Sequence, residues 1–424
     1  MNLLQKLARQ SQKTLTEQAI TADGPGTILR DVETLLGFIV EQGLVTKSRQ
    51  GNLPAEVLPA LNERLAPAVA LDLTRPLLRD YPNIAGPFVL LRVMGLVRVN
   101  GKCLQLDPPV LAFWRGLNPT EKYFALLEAW LFHADAGVLG GADERRLADQ
   151  LTANLRFLSE FKGGQWKGFD ENCHRYEFCG AVSAWNTQLH ARFGLIEVRP
   201  RSLANRRGEG HGWIMAKGRR TPWGEAVAWA LLEHLAATSS DDEDDDADLF
   251  LGRTPEGADH GFFQPIFQRH FPEWEKVFQP AEESARAGVY VFKVKHAVHR
   301  STNDVWRRLA VPGGATLDEV ASAVLKAFKF DDREHLYDFR FRDRLGMARA
   351  YFHPDSEEGH VTSEITVDAL GLPERGVMKF LFDYGASWHF ELQLERIDPP
   401  DKKMRTPKVI GSAGRAPKQY RGWN

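Results

Sequence analysis

Five side chains in the last third of the chain have types that could do acid–base or ligand chemistry: His335, Asp338, Asp383, Trp388 and His389. A histidine near carboxylates can move protons around neutral pH, and a neighbouring indole could line a ligand or partner pocket. Core packing is the plainer use of Trp388, with Phe390 beside it at alternate strand positions. Arg307 belongs with this set. In Trp306-Arg307-Arg308 on a strand, Arg307 faces opposite to its two neighbours. One arginine then falls near the packed side, where it needs a carboxylate such as Asp338 or Asp383; phosphate contact is the competing use. Further upstream stand Arg192, Arg199, Arg201, Arg206, Arg207, Lys217, Arg219 and Arg220. Such cations neutralise phosphates and give salt-dependent binding, or they make a solvated loop. Cys173-His174, Cys179 and His190 suggest a metal, but Cys-x5-Cys is not a zinc-knuckle spacing, so both thiols read as buried small hydrophobes. No P-loop, Rossmann fingerprint, His-Glu-x-x-His or Gly-x-Ser-x-Gly is present. No catalytic residue, metal or cofactor is therefore assigned.

The elements that must hold these residues fall into two kinds. Up to about residue 237 the apolar spacing is helical. Residues 27–43 place Ile28, Val32, Leu35, Leu36 and Ile39 on one face, with Thr27 as N-cap and Gly43 as C-cap. Further helical patterns cover about 55–65, 85–96, 119–134, 143–160, 175–193 and 222–237. One unit occurs twice. Pro87–Leu106, and Ala184–Arg199 resumed after a polar insert at Trp213–Ala216, each run helix, Gly-Leu-(Val/Ile)-x-Val, turn and second strand, and each leads into a Pro-started helix. That order predicts two winged-helix-like units, about 30–115 and 145–237. In the first, the helix 86–95 is apolar and reads as buried. In the second, helix 182–193 offers Trp185, Asn186, Gln188, His190 and Arg192 for base contact.

From 288 onward the period changes to two. Strands are predicted at 288–298, 305–312, 336–341, 346–352, 377–384 and 388–395, with a helix at 317–328 capped by Thr316 and Glu319. Asp383-Tyr-Gly-Ala-Ser reads as a turn with Gly385 at positive φ. An antiparallel sheet with one packed helix follows. Between the two regions, 238–250 reads as an acidic linker and 251–287 as an aromatic helical connector.

Length and charge agree with several parts. The 424 residues carry 54 basic and 56 acidic side chains, but not evenly. Residues 1–239 hold 28 bases against 24 acids, 240–250 seven acids and no base, 251–398 19 against 24, and 399–424 seven against one. A hydrophobic content of 43% excludes wholesale disorder. Three cysteines suit a reducing compartment. No apolar run approaches the ~20 residues of a membrane span, and the first residues lack a signal-peptide core. A cytoplasmic protein without a membrane partner is expected.

The last third, about 288–420, resembles the plasmid pRiA4b ORF-3-like proteins, also labelled transposon passenger TnpR-like. The carrying residues are Val305-Trp-Arg-Arg-Leu-Ala-Val-Pro312, Thr316-Leu317, His335-Leu-Tyr-Asp-Phe339, Phe382-Asp-Tyr-Gly-Ala-Ser-Trp-His-Phe390 and Gly411–Tyr420. The resemblance implies a small α+β domain; the family labels reflect plasmid and mobile-element neighbourhoods in bacteria rather than a chemistry. Where the family often has His-Leu-His and Asp-Phe-Gly-Asp, this chain has Tyr337 and Ala386, which weakens a catalytic use of the cluster. The expectation is an α+β multidomain protein: a mostly helical N-terminal half with two winged-helix-like units, then a small antiparallel α+β domain. Its leading function is non-enzymatic binding, with DNA or another protein as partner and a partner or ligand for the C-terminal domain. An enzyme using His335, Asp338 and Asp383, and a structural scaffold, are the alternatives.

Overall fold

The computed structural model describes residues 3–44, 51–65, 67–71, 73–100, 103–134, 139, 150–168, 183–201, 213–238, 261–279, 286–296, 305–330, 335–343, 348–356, 360–372 and 375–419. Residues 239–250 of the acidic segment, Arg206, Arg207 and the Cys173–Cys179 stretch lie outside them. The chain divides into two compact units, Met1–Ala281 and Glu282–Asn424. Helices concentrate in the first, and an antiparallel sheet builds the second.

In the first unit, α1 (Leu3–Glu17) and α2 (Ile28–Gln42) are followed by α3 (Leu58–Arg64) and α4 (Pro82–Val93). Ile28, Val32, Leu35, Leu36 and Ile39 of α2 are all buried, as a stripe of 3.6-residue period requires. Gly43 closes α2 at φ 54°, its N–H on the Ile39 carbonyl at 3.2 Å. Thr27 stands at the N-cap as expected, its carbonyl accepting the Asp31 N–H at 2.9 Å, but its hydroxyl donates to the Asp31 carboxylate at 2.6 Å rather than accepting a helix N–H. Every residue of α4 is buried.

After α4 come β1 (Val97–Asn100) and β2 (Cys103–Leu106), paired antiparallel from Val97↔Leu106 to Asn100↔Cys103. Then α5 (Pro108–Arg115) starts on Asp107, which accepts from the Val110 N–H at 3.0 Å. Next are α6 (Pro119–Glu128), continued by a π-helical turn at Ala129–His133, and α7 (Gln150–Ser159). The same helix–hairpin–helix order returns in α8 (Ala184–Arg192), β4 (Ile196–Pro200), β5 (Met215–Arg220) and α9 (Pro222–Thr238). Here a short strand β3 (Lys167–Gly168) widens the hairpin to three strands, in the order β3-β5-β4.

The helices before the two hairpins pack on each other. A Cβ on Gly86 of α4 would meet the Leu189 side chain of α8 at 2.8 Å, so the glycine permits the close approach. The segment 261–279 contributes α10 (Gln264–Phe267) and buries Phe263, Phe267, Phe271, Trp274 and Phe278. Phe124 of α6 stacks between Phe267 at 4.8 Å and Trp274 at 4.7 Å.

The second unit holds β6 (Val289–His296), β7 (Trp306–Pro312), α11 (Leu317–Phe328), β8 (Tyr337–Arg342), β9 (Ala348–Phe352), β10 (Val377–Phe382), β11 (Trp388–Asp398) and β12 (Lys408–Ala413). The sheet order is β12-β7-β6-β11-β10-β8-β9, and every strand pairing is antiparallel. Thr316 and Glu319 form the expected capping box at the start of α11. Alternate strand residues, including Phe292, Val294, Leu309, Phe339, Phe380, Phe390 and Leu392, share one core with Leu317, Val320, Val324 and Phe328 of α11.

Candidate functional site

Among the described residues, the basic set does not form one surface. Arg192 and Asp31 make an ion pair whose side chains are 2% and 1% exposed. Trp185, Asn186, Gln188 and His190 are also buried, so α8 does not present the expected base-reading surface. Its polar groups are spent inside the unit. The Trp130 indole donates to Asn186 Oδ1 at 2.7 Å, and His190 Nδ1 lies 2.9 Å from the Asn186 carbonyl. Burial pushes the His190 imidazole down to about 4, so it is neutral near pH 7. Arg220 turns inward toward the Leu158 carbonyl at 3.3 Å and the Glu225 carboxylate at 3.5 Å.

The three-stranded hairpin gathers Arg199, Lys217 and Arg219. Register places Glu197 opposite Arg219 and Arg199 opposite Lys217, on one face of β4 and β5. Arg199 and Lys217 are exposed. Trp166, just before β3, lies under both arginines: the guanidinium carbons of Arg199 and Arg219 are 4.2 and 4.9 Å from its ring centre. Glu197 takes Arg219 through two bonds of 2.8 and 2.7 Å and holds that guanidinium over the indole. On the other face Gly218 leaves room for Phe161, which a Cβ would meet at 2.6 Å. Arg201 follows β4, its N–H on the Ile214 carbonyl at 2.9 Å. Trp166 was not among the expected residues; its signal is a lone indole in the polar stretch Gly163-Gly-Gln-Trp-Lys-Gly168.

In the second unit, Arg307 is buried but is held by carbonyls rather than by the expected carboxylate. It donates to Ala327 at 3.0 Å, Trp306 at 2.8 Å and Ala413 at 2.8 Å, with its guanidinium carbon 5.0 Å from the Phe328 ring centre. The Ala327 carbonyl belongs to the last turn of α11, the negative end of that helix. Arg308 takes the carboxylate partner, Glu395, at 2.6 and 3.1 Å.

His335 Nε2 and Asp383 Oδ2 lie 3.7 Å apart, with the imidazole 43% exposed. Asp383 has a structural duty as well: its Oδ1 accepts the Gly385 and Ala386 N–H groups at 3.1 and 3.0 Å. Positive φ in this turn falls on Asp383 (55°) and Ser387 (52°), not on Gly385 as expected. An aspartate that bonds its own turn tolerates the left-handed region. Asp338 is buried and accepts from Arg340 at 2.9 Å. Trp388 and Phe390 lie on the packed face, and His389 between them is exposed. Tyr337 is tied to Asp318 and, at 3.3 Å, to Thr362, so the family's second histidine position carries a structural phenol here. Among the described residues, no group of three or more His, Cys, Asp and Glu side chains is placed to hold a metal ion.

The fold of the second unit defines a small antiparallel α+β domain. Residues 289–422 match the family model described as plasmid pRiA4b ORF-3-like protein, the family and the region that the strand and turn motifs resemble. Among solved structures, the chain is similar to a protein of unknown function from Methanosarcina mazei Go1. The identity is 21%, with 30% of this chain and 70% of that one covered, at a TM-score of 0.27. No curated protein matches. Among the described residues, no helix is long and apolar enough to cross a membrane.

Proposed function

We infer that the protein is a non-enzymatic binding protein whose N-terminal unit grips duplex DNA by its backbone, through the hairpin β3-β5-β4. The observation that carries this reading is Arg199 and Arg219 over Trp166, with Lys217 opposite Arg199, on one face of that hairpin. The repeated helix–hairpin–helix order supports two winged-helix-like units, with the hairpin as the wing. In such a unit the second helix enters the major groove and the wing touches phosphates. Because α4 and α8 are buried, only the wing contact is available, so recognition rests on charge rather than on base edges. A cytoplasmic setting, where DNA and reducing conditions coexist, suits this role. The C-terminal domain then serves a partner or ligand, in keeping with a family labelled by its plasmid neighbourhood.

The contact between His335 and Asp383 favours a second reading, an enzyme acting on nucleic acid or a small ligand. Against it, Asp383 is committed to its turn and Asp338 to Arg340. The binding reading is tested with the full chain, a labelled duplex of about twenty base pairs and the variant Arg199→Ala/Lys217→Ala/Arg219→Ala, at low salt. Tight binding by the parent protein and loss in the variant support it. No binding by the parent, or equal binding by both, overturns it.

A further inference from the structure

The sheet of the C-terminal unit packs α11 on one face, and its other face carries an ordered set of charges. Strand register aligns Trp306, Lys295, Glu391, Lys379 and Arg340 in one row across β7, β6, β11, β10 and β8. The next row places Arg308 beside Lys293 and Gln393. Lys379, Arg340, Glu391 and Gln393 are exposed, and Lys293, Lys295, Trp306 and Arg308 are half-buried.

Two cross-strand pairs on this face, Lys379 with Arg340 and Lys293 with Arg308, set like charges directly opposite each other. Such pairs weaken a sheet by like-charge repulsion. Carboxylates answer these charges: Glu395 holds Arg308, Asp338 holds Arg340, and Glu391 stands between two lysines. Residues 282–424 hold 23 basic and 21 acidic side chains in all. The side chains named on this face are five cations against three carboxylates, in a unit that is nearly neutral. Trp306 adds a π surface at its edge, with Lys293 Nζ and the Arg308 guanidinium carbon each 5.1 Å from the ring centre.

From these two rows, mostly cationic and set beside an indole, we propose that the charged face of the C-terminal sheet, opposite α11, binds single-stranded nucleic acid. Lysines spaced across neighbouring strands take the phosphates, while the indole and the polar tips of Gln393 and His389 meet the bases. A strand of nucleic acid can lie across the pleated face. A duplex is the poorer fit, because side chains standing upright on a sheet, about 4.8 Å apart from strand to strand, do not form a ribbon or helix that enters a groove.

The test uses the full chain, a fluorescein-labelled oligothymidylate of about twenty nucleotides and a duplex of equal length, read by anisotropy at about 50 mM salt. The variant Lys295→Glu/Lys379→Glu binds the single strand about tenfold or more weakly and the duplex within about twofold of the parent. The wing variant Arg199→Ala/Lys217→Ala/Arg219→Ala gives the reverse pattern, which separates this proposal from the duplex reading. Lys379→Gln, at an exposed position, is the second variant should the double reversal unfold the unit; it lowers single-strand affinity and the salt slope, by about 0.7 per lost contact. Unchanged single-strand binding in the sheet variants at unchanged melting temperature, or loss only in the wing variant, overturns the proposal.

Discussion

Replacing Arg192 by alanine separates a structural role from a DNA-binding one. The Arg192–Asp31 pair is 2% and 1% exposed, and the Thr27 hydroxyl adds a bond to Asp31 at 2.6 Å. Truncating the arginine leaves a carboxylate deep in the first unit without its cation, which costs about 3–5 kcal/mol. For a unit of this size that lowers the melting temperature by about 10 °C. Arg192 also has Nε and one terminal nitrogen buried without a hydrogen-bond partner, so desolvation of the pair is incompletely offset. The double change Asp31→Leu/Arg192→Met therefore recovers most of the loss, since apolar groups of similar volume escape that cost. Calorimetry measures the melting of the first unit, and anisotropy on a duplex measures binding by the folded protein. Expected are a large drop for the single variant, recovery in the double variant and unchanged DNA affinity in both. A single variant that melts within about 2 °C of the parent yet loses DNA affinity would return Arg192 to the binding surface and refute the reasoning.

Three further outcomes follow from the same geometry. Burial raises the Glu128 carboxyl to about 7 although the Gly261 and Phe263 N–H groups bond it at 2.6 and 3.2 Å. The folded protein then holds this proton more tightly than the unfolded chain, so stability falls as pH rises from about 4.5 to 7. Glu128→Gln removes that fall, on the order of 3 kcal/mol, as denaturation at several pH values would reveal; parallel curves for the two proteins would contradict it. Asp383→Asn keeps both the left-handed backbone and the acceptor, so the melting temperature moves little. Asp383→Val loses both and costs about 2 kcal/mol or more, and equal melting of the two variants would count against the turn role. Arg307→Lys loses the forked donors that reach Ala327, Trp306 and Ala413 and destabilises the second unit by about 1–3 kcal/mol, measured by urea unfolding; a midpoint at the parent value would show those bonds to be dispensable.

Local chemistry was the readable part of the chain. Thr316 and Glu319 announce α11 because a capping box satisfies helix N–H groups whatever surrounds it, and the apolar stripe of α2 is visible for the same local reason. Burial of polar residues was not readable. Asn186, His190 and Arg192 have the composition of a surface helix, yet all three are buried, and the side-chain partners of Asn186 and Arg192 are far away in sequence. The partners of Arg307 depend on where β7 runs beneath the end of α11, a tertiary fact. The strand β12 escaped notice because Lys408-Val-Ile-Gly-Ser-Ala looks like a basic tail; pairing with β7 makes it an edge strand, with Val409 and Ile410 half exposed. Trp166 becomes meaningful only when register brings Arg199 and Arg219 to it.

The salt dependence of duplex binding tests the central claim most directly. If, as proposed, Arg199, Lys217 and Arg219 each meet a phosphate, they contribute about 2.7 to the slope of log affinity against log salt, or roughly a fortyfold loss between about 50 and 200 mM. The triple alanine variant should lose that part of the slope, and both proteins should bind unrelated duplex sequences alike. An unchanged slope in the variant, or strong preference for one sequence, would contradict backbone binding through the wing.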